Sequence, residues 1–417
     1  MNLRVAPGAA EKLAQLKAGA LFVKEETKKI ALALDLVKSK QSEIDFIVWI
    51  APAAFWARKT YWENIRKKAG CFRNKICSYS VESISISDNK YLQLYNLIDK
   101  YRTFCVIDDS ITIKNTEAGR TKRLLAVRHK FKYRLILSSL PLAQGLIDLY
   151  SQLEFLDSKI LRMNESQFSN MFLPFYEDCY KTWRRWSRPE DEKLLVQMMR
   201  PYVLTCDMAQ NRHFKYIDND FELTDVERRS YKYEKDFFLK NRTQVAFMEV
   251  VQSFQRMYTL SYNKIQALLI LLKNITERKE KVIIYIRFLD EIIFFKESGF
   301  LNGFDFVECT GKSNKRQAVS AFTSGTDIMF CTYGVNQQDL DLSLCRNIIF
   351  FSQTFDYKSK AQVLGSFSGG KFKQDINIYN FWVKTGLEMI IRDNLTRKAN
   401  VLSHVCRIIS QKEINRL

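Results

Sequence analysis

Two aspartates, Asp108 and Asp109, end the apolar run TFCVIDD at residues 103–109. If that run is a buried strand, two carboxylates at its end are costly unless a cation or hydrogen bonds satisfy them. Ligands bind at the C-terminal ends of strands in open parallel sheets, so the pair fits a metal–nucleotide site. Aspartate also favours turns and helix starts, so the pair equally fits a capped loop. A second feature is basic: Arg120, Lys122, Arg123, Arg128, Lys130, Lys132 and Arg134 crowd one stretch, with Lys114-Asn115 just before it. Such residues contact phosphates or face solvent as an ordinary helix surface. Arg58, Lys59, Arg66, Lys67, Lys68, Arg73 and Lys75 form another cluster. The aromatic stretch Phe172, Phe175, Tyr176, Tyr180, Trp183 and Trp186 reads as core at helical spacing. Its Trp183-Arg184-Arg185-Trp186 segment also suits base stacking or a partner groove. Cysteine, histidine and methionine show no constellation.

These residues must be carried by elements. Short apolar runs rich in β-branched residues lie at 45–52, 103–109 and 133–139, and again at 281–288, 326–332 and 346–352. Helix-length amphipathic stretches separate them. This alternation predicts parallel sheets flanked by helices, an α/β fold. The middle, exemplified by 166–202, is aromatic, charged and poor in strand patterns, and reads as a mostly helical insertion. The expected domains are 1–155, 156–245 and 246–417.

Charge narrows the partners. The 417 residues carry a formal net charge of +19, from 65 Lys and Arg against 46 Asp and Glu. The surplus is +11 over residues 1–155, +1 over 156–245 and +7 over 246–417. A basic surplus concentrated in two regions points to a polyanion, most simply nucleic acid. No apolar run is long enough to span a membrane, and the first twenty residues lack the pattern of a secretory signal. Nine scattered cysteines, without a C-x-x-C pair, and three histidines argue for a reduced, cytoplasmic setting and against a structural zinc site. Glycine and proline are scarce, with 14 and 6 residues. Abundant Lys, Asn, Ile, Phe and Tyr fit an AT-rich genome, a phage or a mobile element among the options.

The order of segments resembles a known family. Residues 19–37, 47–55, 106–115 and 135–157 resemble the first lobe of superfamily-2 helicase-like ATPases, SWI/SNF-type DNA translocases in particular. Residues 281–292, the Gly311 and Arg316 segment, 332–351, 355–370 and 376–402 resemble the second lobe. Residues 198–231 resemble the connector. The resemblance implies two RecA-like parallel-sheet lobes with a mostly helical insertion at the junction.

It also exposes departures. The family's G-x-x-x-x-G-K-[ST] phosphate loop aligns with Val23–Ile30, through Glu26, Thr27, Lys28, Lys29 and Ile30. Such a loop needs glycines so that backbone N–H groups can close on phosphate, and a hydroxyl for Mg²⁺. Val23 and Lys28 stand at the glycine positions, and Ile30 replaces the hydroxyl. Lys29 keeps the lysine, as a vestige or a residual phosphate contact. The family's water-activating Glu is Asp109. Its shorter side chain pulls the carboxylate back by roughly 1.5 Å, and misplacement on that scale costs about 100-fold in rate. Leu140 stands in the family's Ser/Thr-Gly-Thr-Pro turn, and Asp339-Leu340-Asp341-Leu342 in its Gly-Leu-Asn-Leu. Ser366 and Gly369, after Gln362, stand where the family has two arginines.

The resemblance therefore implies a helicase-like protein whose Asp108, Asp109 and Gln362 are vestigial, with no cofactor expected. It would bind DNA without sequence preference through Lys114, Asn115, Arg120, Lys122, Arg123, Arg128 and Lys130. It would serve as a non-motor subunit beside a true helicase, nuclease or replication protein. Two other readings remain: an active, divergent ATP- and Mg²⁺-dependent translocase, and a protein-interaction scaffold.

Overall fold

The computed structural model describes residues 13–23, 26–177, 183–185, 187–206, 214–240, 247–311, 313–335, 345–367 and 375–409. Its strands in chain order are β1 (Ala18–Val23), β2 (Phe46–Ala51), β3 (Ile76–Ser80), β4 (Thr103–Asp108) and β5 (Tyr133–Ser138), then β6 (Phe175–Glu177), β7 (Trp183–Arg185), β8 (Val203–Cys206) and β9 (Phe214–Phe221). The remaining strands are β10 (Lys281–Ile286), β11 (Phe306–Cys309), β12 (Ile328–Thr332), β13 (Cys345–Phe350) and β14 (Ile376–Val383). The chain divides into two compact units, Met1–Gln210 with Lys398–Leu417, and Asn211–Arg397.

The first unit holds a six-stranded sheet in the order β3-β2-β4-β5-β1-β8, with every pair parallel. Helices cover both faces, so a central strand is buried on each side and its sequence is apolar almost without alternation. AGALFV in β1 and TFCVID in β4 are buried at every position. Residues of opposite parity along each strand feed two core clusters. One gathers Ala20, Phe22, Val48, Cys105 and Ile107, the other Leu21, Trp49, Val106 and Leu137.

The second unit repeats the plan with the order β11-β12-β10-β13-β14-β9, again all parallel. KVIIYI in β10 and INIYNFWV in β14 supply its centre, packed through Ile283, Tyr285, Ile348 and Ile378 on one face and Val282, Ile284, Phe330 and Ile349 on the other.

The six apolar runs that predict strands are β2, β4, β5, β10, β12 and β13. The expected 156–245 insertion is not a body of its own. Its first part packs with the first unit and contributes β8 to that sheet, and from Asn211 the chain belongs to the second unit, where β9 pairs with β14. The helical character holds for Glu165–Phe172, Pro189–Met199 and Asp225–Lys240. The strands escape composition for a physical reason. β8 and β9 are edge strands, and FKYIDNDF in β9 carries exposed polar side chains. Phe172 is buried as the core reading expects, and Phe175, Tyr176 and Trp183 lie in the antiparallel pair β6–β7. Tyr180 and Trp186 lie outside the described residues.

Candidate functional site

In the first unit the helix Glu26–Ser39 follows β1, and Asp108 closes β4. β5 lies between those two strands, so the strand ends stand about 10 Å apart, two strand spacings. A long side chain can cover that gap. Lys29 does so: its Nζ lies 2.6 Å from Asp108 Oδ1, with the two side chains 3% and 0% exposed. The other carboxylate oxygen, Oδ2, accepts from Tyr61 Oη at 2.8 Å, and Tyr61 Oη accepts from Trp49 Nε1 at 2.9 Å. The backbone N–H of Asp109 also donates to Asp108 Oδ1, at 2.9 Å. Both oxygens of Asp108 are thus engaged by the protein.

The electrostatics follow. Burial works to lower the Lys29 pKa, but the charge and hydrogen bond of Asp108, with Asp109 and Glu26 beyond it, hold it above its usual value. Burial, and then the Asp108 charge, push the Tyr61 hydroxyl well above the usual tyrosine range. Glu26 sits in the first helical turn, where a carboxylate complements the helix dipole. Its Oε2 is 2.8 Å from Nη2 of the buried Arg58, whose guanidinium lies over Phe55 at 4.4 Å. Ile30 is fully buried and belongs to the core cluster under β1 and β2. Thr27 and the partly buried Lys28 complete the first turn.

Asp109 is partly buried and adopts a left-handed backbone, φ 60° and ψ 56°, which a short polar side chain tolerates. Beyond it Ser110 Oγ donates to Gln152 Oε1 at 2.6 Å, and Gln152 Nε2 donates to Pro141 O at 3.0 Å. Asp148 Oδ2 accepts from the N–H groups of Ala143 and Gln144 at 2.6 Å each. The Ser138–Pro141 turn and the loop after β4 are thus tied to the helix Ile147–Leu156.

The residues expected to meet nucleic acid have local partners. Lys114 Nζ lies 3.4 Å from the buried Asp148, and Asn115 Oδ1 accepts from Glu117 N at 2.9 Å. Arg120 Nε donates to Thr112 O at 2.6 Å, and Lys122 pairs with Glu117 at 2.6 Å. Arg123 pairs with Asp88 and lies over Tyr91, Arg128 pairs with Glu154 at 2.7 Å, and Lys130 with Asp99 at 2.5 Å. The run is one stretch in sequence but not one bare cationic face. Gln362 is exposed on the helix Tyr357–Ser366, which Ser366 closes. Gly369 and Asp339–Leu342 lie outside the described residues.

Sequence reasoning missed Tyr61 and Trp49, which belong to no linear motif. A usable signal existed: a tyrosine in an apolar helix face needs a partner for its hydroxyl. It also missed a buried polar cluster at the matching end of the second sheet. There Glu291 Oε2 accepts from the N–H groups of Arg287 and Phe288 at 3.0 and 2.8 Å, and from Ser352 Oγ at 2.8 Å. Thr259 Oγ1 donates to Glu291 Oε1 at 2.5 Å, and Lys264 Nζ donates to Thr259 O at 3.0 Å. Lys264 is 1% exposed, lies over Phe351 at 4.1 Å and, among the described residues, has no carboxylate at ion-pair distance. Burial lowers its pKa to about 8. Glu388, 3% exposed, has Oε2 buried without a hydrogen-bond partner among the described residues, and burial raises its pKa to about 7.

Among the described residues no helix is long and apolar enough to cross a membrane. The description "SNF2-related domain" matches residues 36–289. An "Uncharacterized ATP-dependent helicase" of Mycoplasma pneumoniae (strain ATCC 29342 / M129 / Subtype 1) is 23% identical over 257 residues, which are 56% of this chain. The match spans 23% of that relative's length. A solved structure, the Sulfolobus solfataricus SWI2/SNF2 ATPase core in complex with dsDNA, is similar at 16% identity and a TM-score of 0.40, over 97% of this chain and 93% of that one. With the family description covering more than half of its length, this chain belongs to the SNF2-related domain family, the SWI/SNF-type helicase-like proteins.

Proposed function

We propose that this protein is a SNF2-type core that binds duplex or branched DNA without sequence preference and does not hydrolyse ATP. It acts as a non-motor subunit beside a true helicase, nuclease or replication protein. The observation that carries the reading is the buried Lys29–Asp108–Tyr61 network, in which both oxygens of Asp108 are engaged. Mg²⁺–ATP would need Lys29 free for phosphate and Asp108 free for the metal shell. Both are engaged in a buried pair, and replacing such partners costs several kcal/mol, on the order of 3–5. The fit fails at two further points. Ile30 offers buried hydrocarbon where the hydroxyl ligand belongs, and Glu26 brings a carboxylate to the helix end that would hold phosphate.

DNA binding rests on the net charge of +19 and its concentration at the two ends of the sequence. The local ion pairs of the 114–130 run weaken any single residue as a contact, so the field, rather than one patch, supports it. One observation favours an active translocase instead: Lys29 and Asp108, the two residues an ATPase would bring together, do meet. The test measures DNA affinity against salt and phosphate release on the same samples. Binding should fall with a log–log slope of about −0.9 per displaced phosphate contact, with no DNA-stimulated phosphate release. Absent binding at low salt defeats the DNA reading. Turnover near about 1 per second establishes the translocase.

A further inference from the structure

We propose that the first unit carries a second, separate anion site: a pocket for a phosphate monoester at the end of the sheet opposite Asp108. Arg134 is the second residue of β5 and pairs in register with Cys105, whereas Asp108 pairs with Leu137. The two ends are therefore about 10 Å apart along the strands. At the Arg134 end is an open cavity of about 450 Å³ whose polar wall is Arg128, His129, Arg134, Asp157 and Ser158. That volume is far more than one water needs and suits a small ligand.

The unmet need in this wall is at Arg134. Among the described residues its guanidinium donates from Nη1 to Arg128 O at 3.0 Å, and its Nε is buried without a partner. Burial lowers the Arg134 pKa, as expected of a cation short of compensation. A guanidinium has five N–H donors and no acceptor, so an oxyanion is the natural complement. Neighbouring charges do not supply it. Glu154 is committed to Arg128 at 2.7 Å. Asp157 Oδ1 accepts from Lys159 N at 2.9 Å, where it caps a short turn, and acts on Arg134 only through its field.

The mixed wall selects among anions. Arg134 and Arg128 favour phosphate oxygens, while Asp157 and the exposed Ser158 offer acceptors. A ligand with both oxyanions and a hydroxyl fits that wall, whereas an internal phosphodiester has no donor for Asp157. Inorganic hydrogen phosphate, a small phosphorylated metabolite and a 5′-phosphorylated nucleic-acid end share the chemistry. This pocket stands apart from the ATP question, because its residues are distinct from Lys29, Asp108 and Tyr61.

The experiment titrates inorganic phosphate into the full chain by calorimetry at low salt. It is repeated with Arg134→Gln and with Ser158→Asp. Ser158 is exposed in a first helical turn, where aspartate is compatible with the fold. The pocket predicts millimolar binding that weakens by about tenfold or more in each variant. Displacement by a duplex bearing a 5′-phosphate, but not by its 5′-hydroxyl counterpart, assigns the ligand to nucleic-acid ends. No displacement by either assigns it to small phosphates. No binding at about 10 mM phosphate, binding unchanged in a folded Ser158→Asp variant, or equal displacement by both duplexes overturns the proposal.

Discussion

Each unit buries a lysine near the C-terminal end of its sheet, and the two are satisfied in opposite ways. In the first unit Lys29 meets Asp108 directly, with Tyr61 and Trp49 completing the chain. In the second, Lys264 has a backbone carbonyl and an aromatic face, and nearby Glu388 keeps one oxygen without a hydrogen-bond partner among the described residues. Direct pairing holds the Lys29 pKa above its usual value, whereas burial takes Lys264 down to about 8 and Glu388 up to about 7. The lesson is that burial does not set a charge's fate. The position of its counter-charge does. A closed pair engages Lys29 and both oxygens of Asp108 from within the protein. The second cluster is sensitive to protons.

The largest expected effect comes from breaking the closed pair. Lys29→Met should destabilise the chain by about 3–5 kcal/mol in urea unfolding, because Asp108 is left buried and charged. Adding Asp108→Asn should recover most of that loss. A cost near zero for Lys29→Met would mean that Lys29 is held for a ligand rather than for the fold.

The proton-sensitive cluster gives the next largest. A carboxyl whose folded pKa is raised binds protons more tightly in the folded state. Its stabilising contribution is therefore full below the unfolded value of 4.5 and is lost as pH rises to about 7. The shift corresponds to about 3 kcal/mol between those limits. Lys264 runs the other way: its folded pKa is lowered, so stability recovers as pH rises from about 8 toward 10.5. Glu388→Gln should flatten the decline between pH 4.5 and 7, followed by urea unfolding across pH. The same decline in the variant would move its origin elsewhere. Lys29, with a raised pKa, keeps its full contribution below 10.5 and loses it as pH rises from there through its folded value, so the first site should add no slope near neutrality.

The smallest effect is Tyr61→Phe, which removes one hydroxyl from between Asp108 and Trp49. It should cost about 1–3 kcal/mol, since two buried polar groups lose a partner. Loss below about 0.5 kcal/mol would show that water replaces the hydroxyl, and that the site is more open than its geometry indicates.

The sequence was legible where chemistry is local and repetitive. Central strands such as TFCVID and KVIIYI are buried on both faces, and their apolar runs say so. β8 and β9 escaped because an edge strand needs no such run, and β9 is half polar. The separation of Lys29 and Asp108 by 79 positions is bridged only by strand order, with β5 between β1 and β4. The resemblance named both residues, Lys29 in the phosphate loop and Asp108 at the strand end, but not their pairing or the part Tyr61 plays in it. Ion pairing of the basic run was hidden for the same reason: Asp88, Asp99 and Glu154 come from other segments. Composition counts charges. Folding decides which of them remain for a partner.

The central claim is that the phosphate site is filled from within. Calorimetry of the full chain with Mg²⁺–ATP at about 1 mM, with and without duplex DNA, tests it most directly. The account predicts no saturable binding under either condition. Saturable binding with micromolar affinity, abolished by Lys29→Met in a folded variant, would contradict it and show that Lys29 leaves Asp108 for phosphate.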